Sequence, residues 1–168
     1  MPLNVEFRYV STHGLRKNGG IVSCVPALTH ESRLYVISNA AANNRRYYIG
    51  TAANLQHRFA VRLEAAREFG FRNIELNNVS IAEVRILING SGRPPHNTGV
   101  SNHQGYFVDV EHILIRQYLN LGWSVRNVMK VLNYTNNVGT QLNCTFTNPA
   151  GWPEAIPAAV NIPPGYYI

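Results

Sequence analysis

The chain has 168 residues, a formal net charge of +6 and 45% hydrophobic residues, enough for one domain that buries its own core and too apolar for a disordered chain. Lys17 and Lys130 are the only lysines, so arginine carries most of the positive charge. Its planar fork pairs with phosphate through two hydrogen bonds, which suits a surface that meets nucleic acid. Cys24 and Cys144 stand far apart and form no metal-spaced cluster, so structural zinc is not expected and nothing is implied about their pairing.

At the N-terminus, MPLNVEFRYV lacks a charged segment followed by a long apolar one, so no signal peptide is read. No apolar run approaches the roughly 20 residues of a membrane span. The expected location is the cytoplasm, or outside it through export that needs no cleavable signal. NVEFRYV reads as a strand, and the turn Lys17–Gly20 followed by IVSCV reads as a hairpin beside the main sheet.

Two short β-branched and aromatic runs follow, Leu34–Ser38 and Tyr47–Gly50, separated by NAAANNRR, a plausible hairpin loop. Asn54 caps a predicted helix in which Leu55, Phe59, Leu63 and Ala66 recur at spacings of three and four, ending near Phe69-Gly70. Val79–Ile88 sets Ala82, Val84, Ile86 and Ile88 on one side, the pattern of a half-buried strand. Asn89–Gly105 is rich in glycine, proline and asparagine and reads as a long functional or mobile loop. Phe107–Leu121 has helical spacing and stops at Gly122. The remainder, proline-rich from Pro149 to Pro164, is expected to wrap the core as strand and extended coil within a single domain.

Hydrolysis of a phosphodiester needs a base for water, neutralisation of the phosphate oxygens and help for the leaving oxygen. Tyr35 and Tyr48 share a sheet face if their runs pair. Arg58 follows Tyr48 by ten positions, and Arg62 lies one turn on, so their guanidinium groups share a helix face. Taken singly, each tyrosine is an ordinary strand residue. Glu111 at a helix start is favoured by the dipole whatever its function, and loop histidines such as His96 and His103 are usually inert.

The order LYVIS, YYIGT, NLQHR and VEHILIRQYLNLGWSVRNV resembles the signature of the GIY-YIG nuclease superfamily over about residues 33–128. Tyr48, Ile49 and Gly50 match YIG literally, and Arg33 stands where the signature has its first glycine. The resemblance implies a small α/β fold, a central mainly antiparallel three-stranded sheet flanked by helices, with segments 1–32 and 129–168 as elaborations. It implies a metal-dependent endonuclease acting on DNA, with RNA as an alternative substrate. In that reading a phenolate at Tyr48 or Tyr35 activates water, Arg58 stabilises the transition state, and Glu111 binds Mg²⁺, for which Mn²⁺ can substitute. Asn127 supports the site, although Asn120, Asn133 and Asn136 offer other registers. Arg62, His57 and Arg46 would contact substrate. Arg62 departs from relatives that carry a histidine or tyrosine there, and an arginine cannot serve as a base. A restriction enzyme and a toxin, the latter with an acidic inhibitor or immunity protein as partner, are both compatible with the module. The alternatives are a non-catalytic nucleic-acid-binding module on the same scaffold and a basic domain that binds an acidic protein.

Overall fold

The computed structural model describes residues 1–18, 21–29, 31–39, 46–53, 79–122, 124–125, 134–149 and 151–167. Its strands are β1 (Leu3–Asn18), β2 (Ile21–Val25), β3 (Leu34–Asn39), β4 (Arg46–Thr51), β5 (Val79–Ile88), β6 (Ser91–Gly92), β7 (Val100–His103), β8 (Tyr106–Asp109), β9 (Ser124–Val125), β10 (Leu142–Thr147) and β11 (Val160–Ile162). The helix among the described residues, α1, is Val110–Asn120.

The expected three-stranded antiparallel sheet flanked by helices is not what forms. Strands account for 51% and helix for 9% of the described structure, and the main sheet is a curled, mixed half-barrel. It runs β11-β10-β1-β5-β3-β4-β9, with β2 and β6 pairing β1 and β5 off that path. The β1–β10 and β4–β9 pairs are parallel. The segments read as elaborations supply β1, β10 and β11, and β1 lies between β10 and β5 at the middle of the sheet. The helix predicted from Asn54 lies outside the described residues.

The β1–β2 hairpin forms as expected. The helix expected over Phe107–Leu121 forms over Val110–Asn120, because Phe107–Asp109 pair as β8 instead, and it stops before Gly122, which takes φ 81 and gives its N–H to the Leu119 carbonyl. Asp109 caps its start by accepting the His112 N–H at 3.2 Å. The stretch read as a long loop is instead built from short hairpins. Asn89 and Gly90 (φ 50 and 80) turn β5 into β6, and Gln104 and Gly105 (φ 51 and 85) turn β7 into β8. Both pairs supply the positive φ values that a two-residue hairpin turn requires.

Flanked by β1 and β3, β5 is covered on both faces rather than half-buried. On one face Ala82, Val84, Ile86 and Ile88 join Phe7, Tyr9, Leu34, Val36, Tyr47 and Ile49 in the larger core under α1. There the hydroxyls of Tyr9 and Tyr118 meet at 2.6 Å, and burial raises both phenols, so they stay protonated as a hydrogen-bonded pair. On the other face Val79 and Ile81 pack with Cys24, Leu28, Tyr35, Ile37 and Ala52. Cys24 and Cys144 sit in different cores and are free thiols.

This second face also holds a charge. Glu83 is fully buried. Its carboxylate accepts from the Ser11 hydroxyl (2.7 Å), from the Thr29 hydroxyl (2.9 Å) and N–H (3.1 Å), and from His13 Nε2 (2.9 Å). Burial pushes Glu83 up, but these donors outweigh it and hold the carboxyl at about 2. Burial pulls His13 down, yet the bonds to Glu83 and to the Pro26 carbonyl and the carboxylate's charge win, so its net direction is up.

The linkage has a definite sign. The contribution of Glu83 is complete above its ordinary value of 4.5 and fades as pH falls towards about 2. That of His13 is complete below its ordinary 6.5 and fades as pH rises through its higher folded value. Thermal melts against pH should therefore peak between 4.5 and 6.5. In Glu83→Gln the maximum should flatten and the melting temperature should fall. A variant as stable as the parent, with the same pH profile, would remove the buried pair from the account.

Candidate functional site

In the antiparallel β3–β4 pair, Tyr35 lies opposite Gly50 and Ile37 opposite Tyr48. Side chains opposite one another share a face, so Tyr35 and Tyr48 both point to the side of Glu83. Their rings stack, with centroids 6.2 Å apart and planes 23° from parallel. Gly50 makes that packing possible. A Cβ there would sit 2.7 Å from the Tyr35 hydroxyl and 3.2 Å from Tyr48 Cε1. Tyr35 is 1% exposed whereas Tyr48 is half-buried. Of the two phenols, Tyr48 is the one on the solvent side of the stack.

Arg33, just before β3, has φ 62, in the left-handed region that favours glycine. Its carbonyl accepts the Ala52 N–H at 2.9 Å and so closes the open end of the β3–β4 pair. The position matched to the first glycine of the signature thus has a backbone that suits glycine.

Glu111, in the first turn of α1, comes to the same end of β4. The Thr51 hydroxyl donates to its Oε2 at 2.8 Å and lies 3.5 Å from the Asn97 carbonyl. Gly99 makes room, because a Cβ on it would lie 2.6 Å from Glu111 Cβ and 2.7 Å from Oε2. Thr51 follows Gly50, and successive strand side chains alternate in direction. Glu111 therefore reaches β4 from the α1 face, and the tyrosine stack covers the same strand from the opposite face.

Arg58, Arg62, His57 and Asn127 lie outside the described residues, as does the side chain of Arg46. His96 is exposed, in the turn before β7. His103 is buried in the β7–β8 hairpin, where its Nδ1 accepts from Arg93 Nε at 3.2 Å. That bond gives His103 a structural role.

Thr51, Gly99 and Asn97 were not singled out in the sequence. Thr51 had a signal, being a hydroxyl directly after YIG. Gly99 had none, since only the fold places Glu111 above it. Also unforeseen are Ser11, His13 and Glu83, whose residue types are those of a hydrolytic triad. The geometry argues otherwise. His13 Nε2 faces both Ser11 Oγ (2.9 Å) and Glu83, while Nδ1 faces the Pro26 carbonyl. A carbonyl and a carboxylate each require an N–H, so the imidazole is doubly protonated and has no lone pair to take a serine proton. Ser11 in turn gives its proton to the carboxylate. The group is a structural lock.

Among the described residues no group of three His, Cys, Asp or Glu side chains gathers as a metal site. A cation held by one carboxylate does not need such a group. The oxygens at the end of β4 (Glu111 carboxylate, Thr51 hydroxyl and Asn97 carbonyl) are the hard donors that Mg²⁺ or Mn²⁺ accepts. The residues present fit the cation that the resemblance implies.

Comparison with family models, with curated proteins and with solved structures finds no match to this chain. The site therefore has to be read from its own geometry.

Two substitutions test that geometry in one set of urea melts. Gly50→Ala should destabilise by about 1–3 kcal/mol through overpacking against Tyr35, with partial rescue when Tyr35→Phe removes the nearest atom. Arg33→Gly should stabilise by about 1 kcal/mol by relieving the left-handed residue. A neutral Gly50→Ala would show that the tyrosines do not pack over that glycine.

Proposed function

We propose that this chain is a metal-dependent endonuclease that hydrolyses phosphodiester bonds in DNA. The observation that carries the reading is that YIG and the residue after it hold both kinds of group on one strand, β4, one on each face. A stacked tyrosine pair seated on Gly50 arrives from one face, and a carboxylate fixed by Thr51 arrives from the other. The resemblance to the GIY-YIG signature supports the same assignment, as do the net charge of +6 and its arginine bias.

The division of labour follows from burial. Tyr48, on the solvent side of the stack, takes the proton of the attacking water. Tyr35 is sealed beneath it and fixes the Tyr48 ring through stacking. Which phenol serves as base was open in the sequence, and exposure favours Tyr48. By resemblance, Arg58 neutralises the non-bridging phosphate oxygens with Arg62 and Arg46 beside it, and Asn127 supports the site. His57 is a further substrate contact. Glu111 would be the cation's side-chain ligand, with Thr51 orienting its carboxylate by a hydrogen bond and the Asn97 carbonyl nearby as a further oxygen. A bound divalent cation supplies Lewis-acid stabilisation of the leaving oxygen.

Glu111→Ala should abolish magnesium-dependent nicking of supercoiled plasmid while circular dichroism and the melting temperature stay close to the parent's. Thr51→Val, which removes the orienting hydroxyl, should lower the rate roughly 10- to 100-fold, as loss of an outer-sphere support typically does. It should also raise the magnesium concentration at half-maximal rate, a change that a purely structural role would not produce. Undiminished nicking by Glu111→Ala would remove the metal assignment.

A further inference from the structure

On the sheet face that carries Glu83 and the tyrosine stack opens a cleft of about 420 Å³ lined by residues that include Ser11, Thr29, Glu31, Ser32, Arg85 and Gly92. A cavity of that size accommodates a small organic ligand. It is fixed to the candidate site by strand register. Tyr35 pairs with Glu83 across β3 and β5, and Arg85 is the next residue of β5 on that face, one strand repeat of roughly 6.6 Å from Glu83.

The polar groups of the cleft are sorted by type. Arg85 forms no ion pair with any described residue. Its guanidinium lies over Gly92, where a Cβ would come within 3.3 Å of Nη2. Directly across the strands stands Arg8, which is tied to Glu6 at 2.7 Å. Glu6 answers the charge of Arg8, which leaves Arg85 as the cation of this pair without a carboxylate among the described residues. On the other side of the cleft the charged group is an acceptor, with the Ser32 hydroxyl beside it. Glu31 contributes a carboxylate. The Ser11 and Thr29 hydroxyls donate hydrogen bonds to Glu83, so lone-pair positions are what they offer a ligand, and that of Ser11 is shared with His13 Nε2 at 2.9 Å. A matching ligand carries an anion at one end and N–H donors at the other.

We propose that this cleft seats one nucleotide of the substrate strand, its phosphate on Arg85 and an amino-bearing base on Glu31 and the Ser11 and Thr29 oxygens. The proposal rests on the nuclease reading for its substrate class and adds a preference that the reading lacks. Adenine, cytosine and guanine carry an exocyclic amino group to meet the acceptors, and thymine does not. The base held in the cleft is therefore selected against thymine.

Calorimetric titration of the whole chain in EDTA, where no cutting occurs, tests the cleft separately from catalysis. The ligands are dCMP, dTMP, inorganic phosphate, and short oligodeoxycytidylate and oligothymidylate strands. The expected result is that dCMP binds more tightly than dTMP or phosphate, and that the cytidylate strand binds more tightly than dCMP. Arg85→Ala should weaken dCMP at least about tenfold, the loss of one charge-assisted hydrogen bond. Glu31→Gln should erase the preference for dCMP over dTMP while leaving phosphate binding unchanged. Both side chains are exposed, so neither change threatens folding. Equal affinity for dCMP and dTMP, a parent-like Arg85→Ala, or no binding by the parent protein would each overturn the proposal. Glu111→Ala should bind dCMP as the parent does. Retained binding without cutting by the parent would sink the nuclease reading and spare the cleft. Cutting without dCMP binding would do the reverse.

Discussion

A carboxylate sealed inside a protein is tolerated only where donors replace the water it has lost, and Glu83 imposes that condition on the sheet around it. The condition is met by a β-bulge. Tyr9 pairs with Val84 and Ser11 with Glu83, which leaves Val10 as an extra residue in β1. Because strand side chains alternate, one inserted residue reverses every side chain after it. Tyr9 faces the core under α1, and without the bulge Ser11 and His13 would face it too. With the bulge they turn to Glu83, and Thr29 closes the shell from the segment after β2. The same four residues hold the β1–β2 hairpin against the face that carries the tyrosines. They also floor the neighbouring cleft with hydroxyls whose protons are already committed.

The two sheet faces use tyrosine differently. Under α1, Tyr9, Tyr47 and Tyr118 are fully buried, and their hydroxyls are occupied within the core, Tyr9 by Tyr118 and Tyr47 by Glu154 at 3.2 Å. Burial keeps Tyr9 and Tyr118 protonated, so both are removed from acid–base chemistry near neutral pH. On the other face Tyr48 retains access to solvent beside a glycine that allows close approach. Adjacent residues in YYIG thus have opposite fates, Tyr47 in the core and Tyr48 at the site. A glycine also lies beneath Glu111, so both halves of the site occupy space that a single Cβ would close.

The local elements were legible where turn and cap chemistry is local. Gly122 ends α1, as spacing alone implies, and Tyr35 shares a face with Tyr48, as expected once the two runs pair. The Asn89-Gly90 and Gln104-Gly105 turns were legible in principle, but their glycine- and asparagine-rich surroundings read as loop. The architecture was not legible, for two physical reasons. The place of β1 at the middle of the sheet depends on pairing with β10, from the far end of the chain, and no local pattern encodes that partner. The bulge at Val10 breaks the period-two pattern at the point where the polar face begins, so Ser11, His13 and Glu83 never appear in one register. Glu111 was visible as a helix-start carboxylate, whereas its supports, Thr51 and Gly99, become visible only once β4 and α1 are packed together.

The most direct test of the catalytic account is the rate of cleavage of a supercoiled plasmid in magnesium as a function of pH, for the parent, Tyr48→Phe and Tyr35→Phe. If Tyr48 is the base and Tyr35 its support, the parent rate rises with pH as the phenol ionises, Tyr48→Phe loses that rise and nearly all activity, and Tyr35→Phe keeps the rise at a lower rate. A folded parent protein that leaves DNA intact in both magnesium and manganese, or a Tyr48→Phe variant that cuts with the parent's pH profile, would contradict it.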